Sequence, residues 1–495
     1  MPNASDLLNA RLPRGFSDHR GAELHIVRTM IEKLRVVYER YGFELLETPS
    51  IEYADSLGKF LPDQDRPNEG VFSFKDDDGQ WLCLRYDLTA PLARYVAENF
   101  DTMSLPFRRY QIGQVFRNEK PGAGRYREFT QFDADAVGTA SMAADAEFCM
   151  LAADAMAVVG LKTGEFIVKV NNRKVLNGIL ETIGVPSGAA GEATRVAVLR
   201  AMDKLDRLGR EGVRQLLGKG RRDESGDFTP GAGLSPAAAD RVLAFLAATG
   251  GGRGATCDVL AALVEDSAVG REGVAELREI DVLLAEGGFD IDRVRFDPSV
   301  VRGLAYYTGP VFEAELTFEV RDERDNPVNF GSVGGGGRYD DLVERFKGVS
   351  VPATGVSLGI SRLAAALSAK GLADVAQARG PVVVAAMDKA GLISAQAIVR
   401  ELRNAGISSE VYLGNGKLGA QFKYADRRGS PIAVIEGGDE RAKGVVKIKD
   451  LVRGAQRAKT ATSREEWRNR EDVEIDVPRA AVVENVRKIL SRQSG

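Results

Sequence analysis

Arg117, Arg125 and Arg127 crowd into the stretch Phe116–Gln131, FRNEKPGAGRYREFTQ, together with Glu119, Glu128 and Gln131. Guanidiniums are planar, bidentate donors that stay charged at any physiological pH, so a cluster of them suits a polyphosphate. Two β-prone segments, Tyr110–Phe116 and Arg127–Phe132, flank a Pro-Gly-Ala-Gly turn, which predicts a hairpin with a mobile tip. Residues two apart on a strand share a face, so Arg117 would lie beside Glu119, and Arg125 beside Arg127. The same pattern fits an exposed hairpin laced with ion pairs. The rest of the chain must decide between the two.

Further chemistry-bearing blocks are LRYDLTAPLARY (Leu84–Tyr95), RGLAYYTG (Arg302–Gly309), GGGGRYD (Gly334–Asp340) and ATGVSLGISRL (Ala353–Leu363). A glycine run permits close backbone approach to a ligand, although turns produce such runs often. The chain has no GxSxG elbow, no Cys–His pair and no metalloprotease motif. His19 and His25 are its only histidines, which excludes a His-based triad and a His-ligated metal. Chemistry built on arginines works by positioning and charge stabilisation, with no nucleophilic side chain required.

These blocks need elements to hold them. Residues 22–41 carry a wide apolar stripe at helical spacing, Gly42 ends it, and FELLETPSIE reads as a strand broken by Pro49. An Ala-rich helix follows over Met142–Val159. From about 171 to 286 the chain turns helical, charged and Gly-spotted, with Gly218–Gly233 a mobile loop, which marks an inserted helical domain between two motif blocks. Strands resume near Arg293. After 381 strands and helices alternate, as in a small α/β domain with a mostly parallel sheet.

The length of 495 residues suits two to four domains. No run of about 18 apolar residues exists, so no membrane span is expected. The N-terminus lacks the apolar segment of a signal peptide, and three scattered cysteines point to a reducing cytoplasm without disulfides or a zinc site. Net charge is −4, but it is uneven: residues 381–495 hold 21 Lys and Arg against 15 Asp and Glu, while the preceding 380 hold 46 against 56. A basic C-terminal module on an acidic body suits contact with a phosphate backbone.

FRNEKPGAGRYREFTQ resembles the second signature of class II aminoacyl-tRNA synthetases, a strand, loop and returning strand that hold ATP. Arg302–Gly309 and Gly334–Asp340 resemble two signatures of the histidine-specific family, and Ala353–Leu363 is similar to the third class II signature. The helix–strand unit that ends in Pro49 resembles the first signature, which builds a dimer interface. The blocks stand in the family's order over nearly the whole chain.

The resemblance implies an α+β catalytic domain over 1–375, an antiparallel class II synthetase sheet with flanking helices. It would carry the helical insertion at about 171–286, leaning over the tRNA acceptor stem. A C-terminal anticodon-binding α/β domain would follow at 381–495. It implies activation of L-histidine by ATP, accompanied by Mg²⁺, and transfer to tRNA(His) by a cytoplasmic homodimer. By the same resemblance Arg117 and Arg302 serve catalysis at the α-phosphate. ATP would be held by Arg117, Glu119, Arg125, Phe129, Arg302 and Arg362, and histidine by Asp87, Thr89, Gln131, Asp135, Tyr306 and Tyr307; no protein-held metal is implied. Asp87, Thr89 and Gln131 would take the α-ammonium, Asp135 and Tyr307 the imidazole. Two departures stand out: Ala305 replaces a family Asp, and the turn Pro121–Gly124 has no bulky polar residue. Two other functions are compatible with the fold: a synthetase-like regulatory subunit of a histidine-biosynthetic ATP phosphoribosyltransferase, a kind of protein that typically loses the C-terminal domain and the ATP arginines kept here, and a stand-alone tRNA-binding or signalling pseudoenzyme, supported only by Ala305.

Overall fold

The structure, a computed structural model, describes residues 9–56, 70–120, 126–188, 190–222, 226–301, 307–321, 325, 327–372, 380–460 and 473–493. Contacts divide the chain into two units, Met1–Ala373 and Asp374–Gly495. The first is built on an eight-stranded sheet. Its order is Glu44–Leu45, Phe107–Phe116, Glu128–Val137, Ala353–Gly359, Ser332–Arg338, Pro310–Leu316, Phe166–Asn172 and Val294–Phe296. Its five central pairings are antiparallel, and only the two outermost are parallel.

The strand Glu128–Val137 shows how the sheet divides polar from apolar. Its alternate residues Phe132, Ala134 and Ala136 enter the main core, where Phe132 packs 4.3 Å from the ring of Tyr38. Tyr38, Leu34 and Met30 come from the helix Ala22–Arg40, whose apolar stripe covers that face together with the helix Met142–Val158. Gln131, Asp133 and Asp135 alternate with them and so occupy the opposite face. A buried polar face has to be paired from within. Arg109, with no solvent exposure, sets its Nη2 2.8 Å from Asp135 Oδ2 as an ion pair and donates a hydrogen bond to the Leu88 carbonyl at 2.9 Å. The other Asp135 oxygen accepts from the Tyr339 hydroxyl. Gly355 sits across from Asp135, and a Cβ there would collide with its carboxylate.

Helices Arg173–Thr182, Glu192–Met202, Leu205–Leu217, Pro236–Leu246, Arg253–Leu263 and Ala268–Glu286 fill the region between the motif blocks. They share one continuous core with the sheet through Val175, Leu176, Leu277 and Leu284. Part of the expected mobile loop is instead a short hairpin, Gly220–Arg222 paired with Phe228–Pro230.

The second unit has its own core, with Val384, Val399, Leu402, Val434, Ile448 and Val486. Its sheet runs Ser409–Val411, Val382–Ala385, Ile432–Ile435, Val445–Asp450, Glu474–Pro478. The first three strands are parallel to one another, Val445–Asp450 runs against them, and Glu474–Pro478, antiparallel to it, runs with them again, so four of the five described strands share one direction, as the mostly parallel expectation has it. Only the short helix Gly438–Lys443 separates Ile435 from Val445, too little chain for the crossover that a parallel neighbour needs. In the helix Leu418–Arg427, Gln421 bonds both the N–H and the carbonyl of Ala386, which ties the helix to a strand end.

Breaking the Arg109–Asp135 pair from one side leaves a buried charge alone. Arg109→Met should destabilise the first unit by about 3–5 kcal/mol, and adding Asp135→Leu should return much of that loss. Denaturant midpoints of the parent, both single variants and the double variant give the comparison; equal midpoints for Arg109→Met and the parent would refute it.

Candidate active site

A cleft of 660 Å³ opens on the polar face of the sheet. The paired strands Phe107–Phe116 and Glu128–Val137 form one wall and lead into Arg117 and Glu119, both of which line it. Arg117 is held by its neighbours: its guanidinium lies 4.3 Å from the Tyr86 ring and 5.2 Å from the Phe129 ring. Stacking against two faces orients a cation without neutralising it. The Tyr86 hydroxyl donates to Glu119 Oε1 at 3.0 Å, so one tyrosine positions both charges of the FRNE segment. Burial pushes the Tyr86 hydroxyl above its ordinary pKa, which keeps it a donor. Arg362 also lines the cleft, from the first turn of the helix Ile360–Ala369. That helix is fixed by Ser361, whose Oγ accepts from the Thr130 N–H at 3.2 Å.

Acceptors gather elsewhere along the same cleft. Asp87 Oδ1 accepts from the backbone N–H groups of Thr89 and Ala90, at 3.1 and 2.9 Å, which starts the helix Thr89–Asn99 at the cleft edge. Gln131 donates through Nε2 to Ser357 Oγ at 2.9 Å. Asp133, 2 % exposed, follows on the same strand face. Burial, then the nearby Asp135, push its carboxyl up to about 7, while Arg109 and a hydrogen bond from Ser357 pull it back. Tyr307 and the glycine strand Ser332–Arg338 close the cleft. Gly336 allows that strand to lie against its neighbour, because a Cβ there would strike the Gly355 carbonyl.

The rest of the GGGGRYD block supports the cleft from outside. Arg338 pairs with the buried Asp145 and donates to the Thr139 carbonyl at 2.9 Å; Asp340 accepts from the Thr308 hydroxyl at 2.8 Å, next to Tyr307.

Of the residues singled out in the sequence, Asp87, Thr89, Arg117, Glu119, Phe129, Gln131, Tyr307 and Arg362 line this one cleft. Arg125, Arg302, Ala305, Tyr306 and the turn Pro121–Gly124 lie outside the described residues. Arg127 does not line the cleft; it braces the hairpin by donating to the Glu119 carbonyl at 3.0 Å. Asp135 departs from its expected place: it does not line the cleft, because Arg109 and Tyr339 hold its carboxylate beneath the wall. Sequence reasoning passed over Tyr86, Tyr126, Asp133, Ser357 and Ser361. The two-residue repeat from Gln131 was the signal that would have found Asp133.

Below about pH 7 folded Asp133 keeps a proton that an unfolded aspartate gives up above roughly pH 4. The unfolded chain therefore holds fewer protons through that window, and stability falls as pH rises across it. Asp133→Asn should flatten this fall. Melting temperatures of parent and variant between pH 5 and pH 8 test it, and parallel curves would show that Asp133 does not carry the effect.

Comparison with known proteins agrees on one family. The sequence profile described as "Histidyl-tRNA synthetase" matches residues 15–363, and the one described as "Anticodon binding domain" matches residues 381–488. The histidine–tRNA ligase of Rhizobium meliloti (strain 1021) is 57% identical over 490 residues, covering 98% of this chain and 97% of the relative. That of Ruegeria pomeroyi is 56% identical over 499 residues, covering 100% and 99%. The crystal structure of histidyl-tRNA synthetase from Nostoc sp. PCC 7120 superposes with a TM-score of 0.72 at 27% identity, covering 97% of this chain and all of that one. A cleft with arginines and acidic acceptors on an antiparallel sheet, matched end to end by such relatives, places this chain in the histidyl-tRNA synthetase family.

Proposed function

We propose that the chain is a histidine–tRNA ligase. In the first step the carboxylate of L-histidine attacks the α-phosphorus of ATP, and pyrophosphate leaves. In the second the terminal adenosine hydroxyl of tRNA(His) attacks the histidyl carbonyl, and AMP leaves. One observation carries the reading: a single cleft holds cations suited to the triphosphate, Arg117 and Arg362, and acceptors suited to an amino acid, Asp87 and Gln131. Negative charge builds on the α-phosphate during transfer, and fixed donors there act without reorganising.

Arg117 takes the α-phosphate, and its stacking between Tyr86 and Phe129 supports that role by fixing its direction. Phe129 stacks on adenine, Glu119 accepts from the adenine amino group, and Arg362 and Arg125 meet the outer phosphates. Mg²⁺ arrives with ATP as part of the substrate. Asp87, Thr89 and Gln131 hold the α-ammonium; Tyr306 and Tyr307 stand by the ring. Arg302, between the strand Val294–Phe296 and Gly303, supplies a second cation at the α-phosphate. The insertion leans over the acceptor stem, and the basic C-terminal unit takes the anticodon. The active form is a cytoplasmic homodimer; among the described residues no helix is long and apolar enough to cross a membrane.

A regulatory subunit has no need of ATP-directed arginines, and Arg117 and Arg362 stand in the cleft. Histidine-dependent exchange of pyrophosphate into ATP separates the readings: the ligase exchanges, a regulator does not. Within that assay Arg302→Ala should slow exchange by about 10²–10³, with a smaller change in the apparent KM for either substrate. Arg302→Lys should rescue little, since an ammonium lacks the planar fork. A folded Arg302→Ala variant exchanging at close to the parent rate would remove Arg302 from the chemistry.

A further inference from the structure

We propose that Tyr86 is a positioning residue that holds Arg117 and Glu119 apart, keeping one charge for a phosphate and the other for the base; this rests on the ligase reading above. Residues two apart on an extended chain share a face, and a guanidinium and a carboxylate so placed would ordinarily pair. Arg117 and Glu119 both line the cleft, yet among the described residues each side chain is held by Tyr86 rather than by the other. The Tyr86 ring lies 4.3 Å from the Arg117 guanidinium, and its hydroxyl donates to Glu119 Oε1 at 3.0 Å. The Tyr86 carbonyl also accepts from Arg117 Nε at 3.4 Å. A phenol suits this double task, because its face attracts a cation while its hydroxyl donates to an anion.

The tyrosine is itself anchored on both sides. The Phe116 N–H donates to the Arg85 carbonyl at 3.0 Å, which ties the residue before Tyr86 to the residue before Arg117. The buried Arg85 guanidinium donates to the carbonyls of Gln114 and Thr48, at 2.7 and 2.8 Å. A Cβ at Gly113 would strike that guanidinium, so glycine gives it room beneath the hairpin strand. On the other side Asp87 accepts from the N–H groups of Thr89 and Ala90 and fixes the start of the next helix. Tyr86 thus presents its ring and hydroxyl from a backbone that cannot drift.

The two charges need different things from it. The Glu119 carbonyl is pinned by Arg127 at 3.0 Å, but Glu119 is exposed, and a long exposed side chain must lose most of its rotamer freedom before it can accept from a base. The Tyr86 hydroxyl takes that loss in the free protein, which is how preorganisation sharpens recognition. Arg117 needs direction without neutralisation. Phe129 supports it at 5.2 Å from a second side, and the Tyr86 ring is the nearer of the two faces. With that ring gone the guanidinium and the carboxylate are free to meet, and a paired Arg117 offers a weaker field to a phosphate. The hydroxyl therefore governs which base is accepted, and the ring governs how well the cation works.

The test is pyrophosphate exchange by the full-length protein with histidine and either ATP or purine riboside triphosphate, which lacks the exocyclic amino group. Tyr86→Phe keeps the ring and loses the hydroxyl. The preference for ATP over the deamino nucleotide, as a ratio of kcat/KM, should fall about tenfold, with turnover on ATP within about threefold of the parent. Tyr86→Leu loses both groups: the preference should fall as far, and turnover should drop about tenfold below that of Tyr86→Phe. Adding Glu119→Gln to Tyr86→Leu should recover turnover about threefold, because an amide cannot neutralise Arg117. A tyrosine that only braced the fold would change the amount of active enzyme, which cancels from the preference. An unchanged preference in folded Tyr86→Phe would therefore overturn the proposal, as would a parent that does not prefer ATP. So would equal turnover in Tyr86→Phe and Tyr86→Leu, or no recovery on adding Glu119→Gln. No exchange in the parent would sink the ligase reading itself, whereas exchange in the parent with an unmoved preference would sink only this assignment.

Discussion

The ion pair between Arg109 and Asp135 lies under everything the cleft does. Both side chains are sealed from solvent, at 0 % and 4 % exposure. Such a pair gains little over apolar packing, because two charges must leave water to form it, but losing either partner is costly. It therefore acts as a constraint on geometry more than as a source of stability. Arg109 also bonds the Leu88 carbonyl, which fixes the start of the helix behind Asp87. Tyr339 joins from the glycine strand. Three elements distant in the chain are thus fastened at one point below the cleft, and Gly355 keeps the space open for the carboxylate.

From that point the charges of the cleft sort themselves. Burial and the neighbouring Asp135 outweigh the pull of Arg109 on Asp133, whose carboxyl holds its proton to about pH 7. Arg117, by contrast, is caged by two aromatic faces that direct it and leave its charge free. Cations and acceptors line the same cleft. In a partly buried cleft such fields are felt more strongly than in water.

Several motif residues turn out to hold the site up rather than to line it. Arg338, Tyr339 and Asp340 bond, in turn, to Asp145, Asp135 and Thr308, so the block that follows the glycines is a frame for Tyr307 and for the buried pair. Arg127 braces its own hairpin in the same way, and Gln421 ties a helix to a strand in the C-terminal unit. A pattern in sequence marks that a residue is constrained. It does not say whether the constraint is a ligand or a neighbour.

The chain by itself determined the elements and the company they keep. The apolar stripe of Ala22–Arg40, the FRNE and returning strands, and the alternation after residue 381 are local periodicities, and local sequence carries periodicity in full. Arg117, Glu119, Asp87, Thr89, Gln131, Phe129 and Arg362 were legible because each stands inside a block whose spacing is its signature. The tertiary structure alone decided the rest. Alternation places Gln131, Asp133 and Asp135 on one face and cannot rank them, since the ranking depends on Arg109 across the sheet and on Tyr339, 204 residues along the chain. The same holds for the C-terminal sheet, where strand direction followed from the length of a connection rather than from any strand's own residues. Side-chain period is a property of the backbone. Which side chain meets substrate and which meets a buried partner is settled by contacts that only folding brings together.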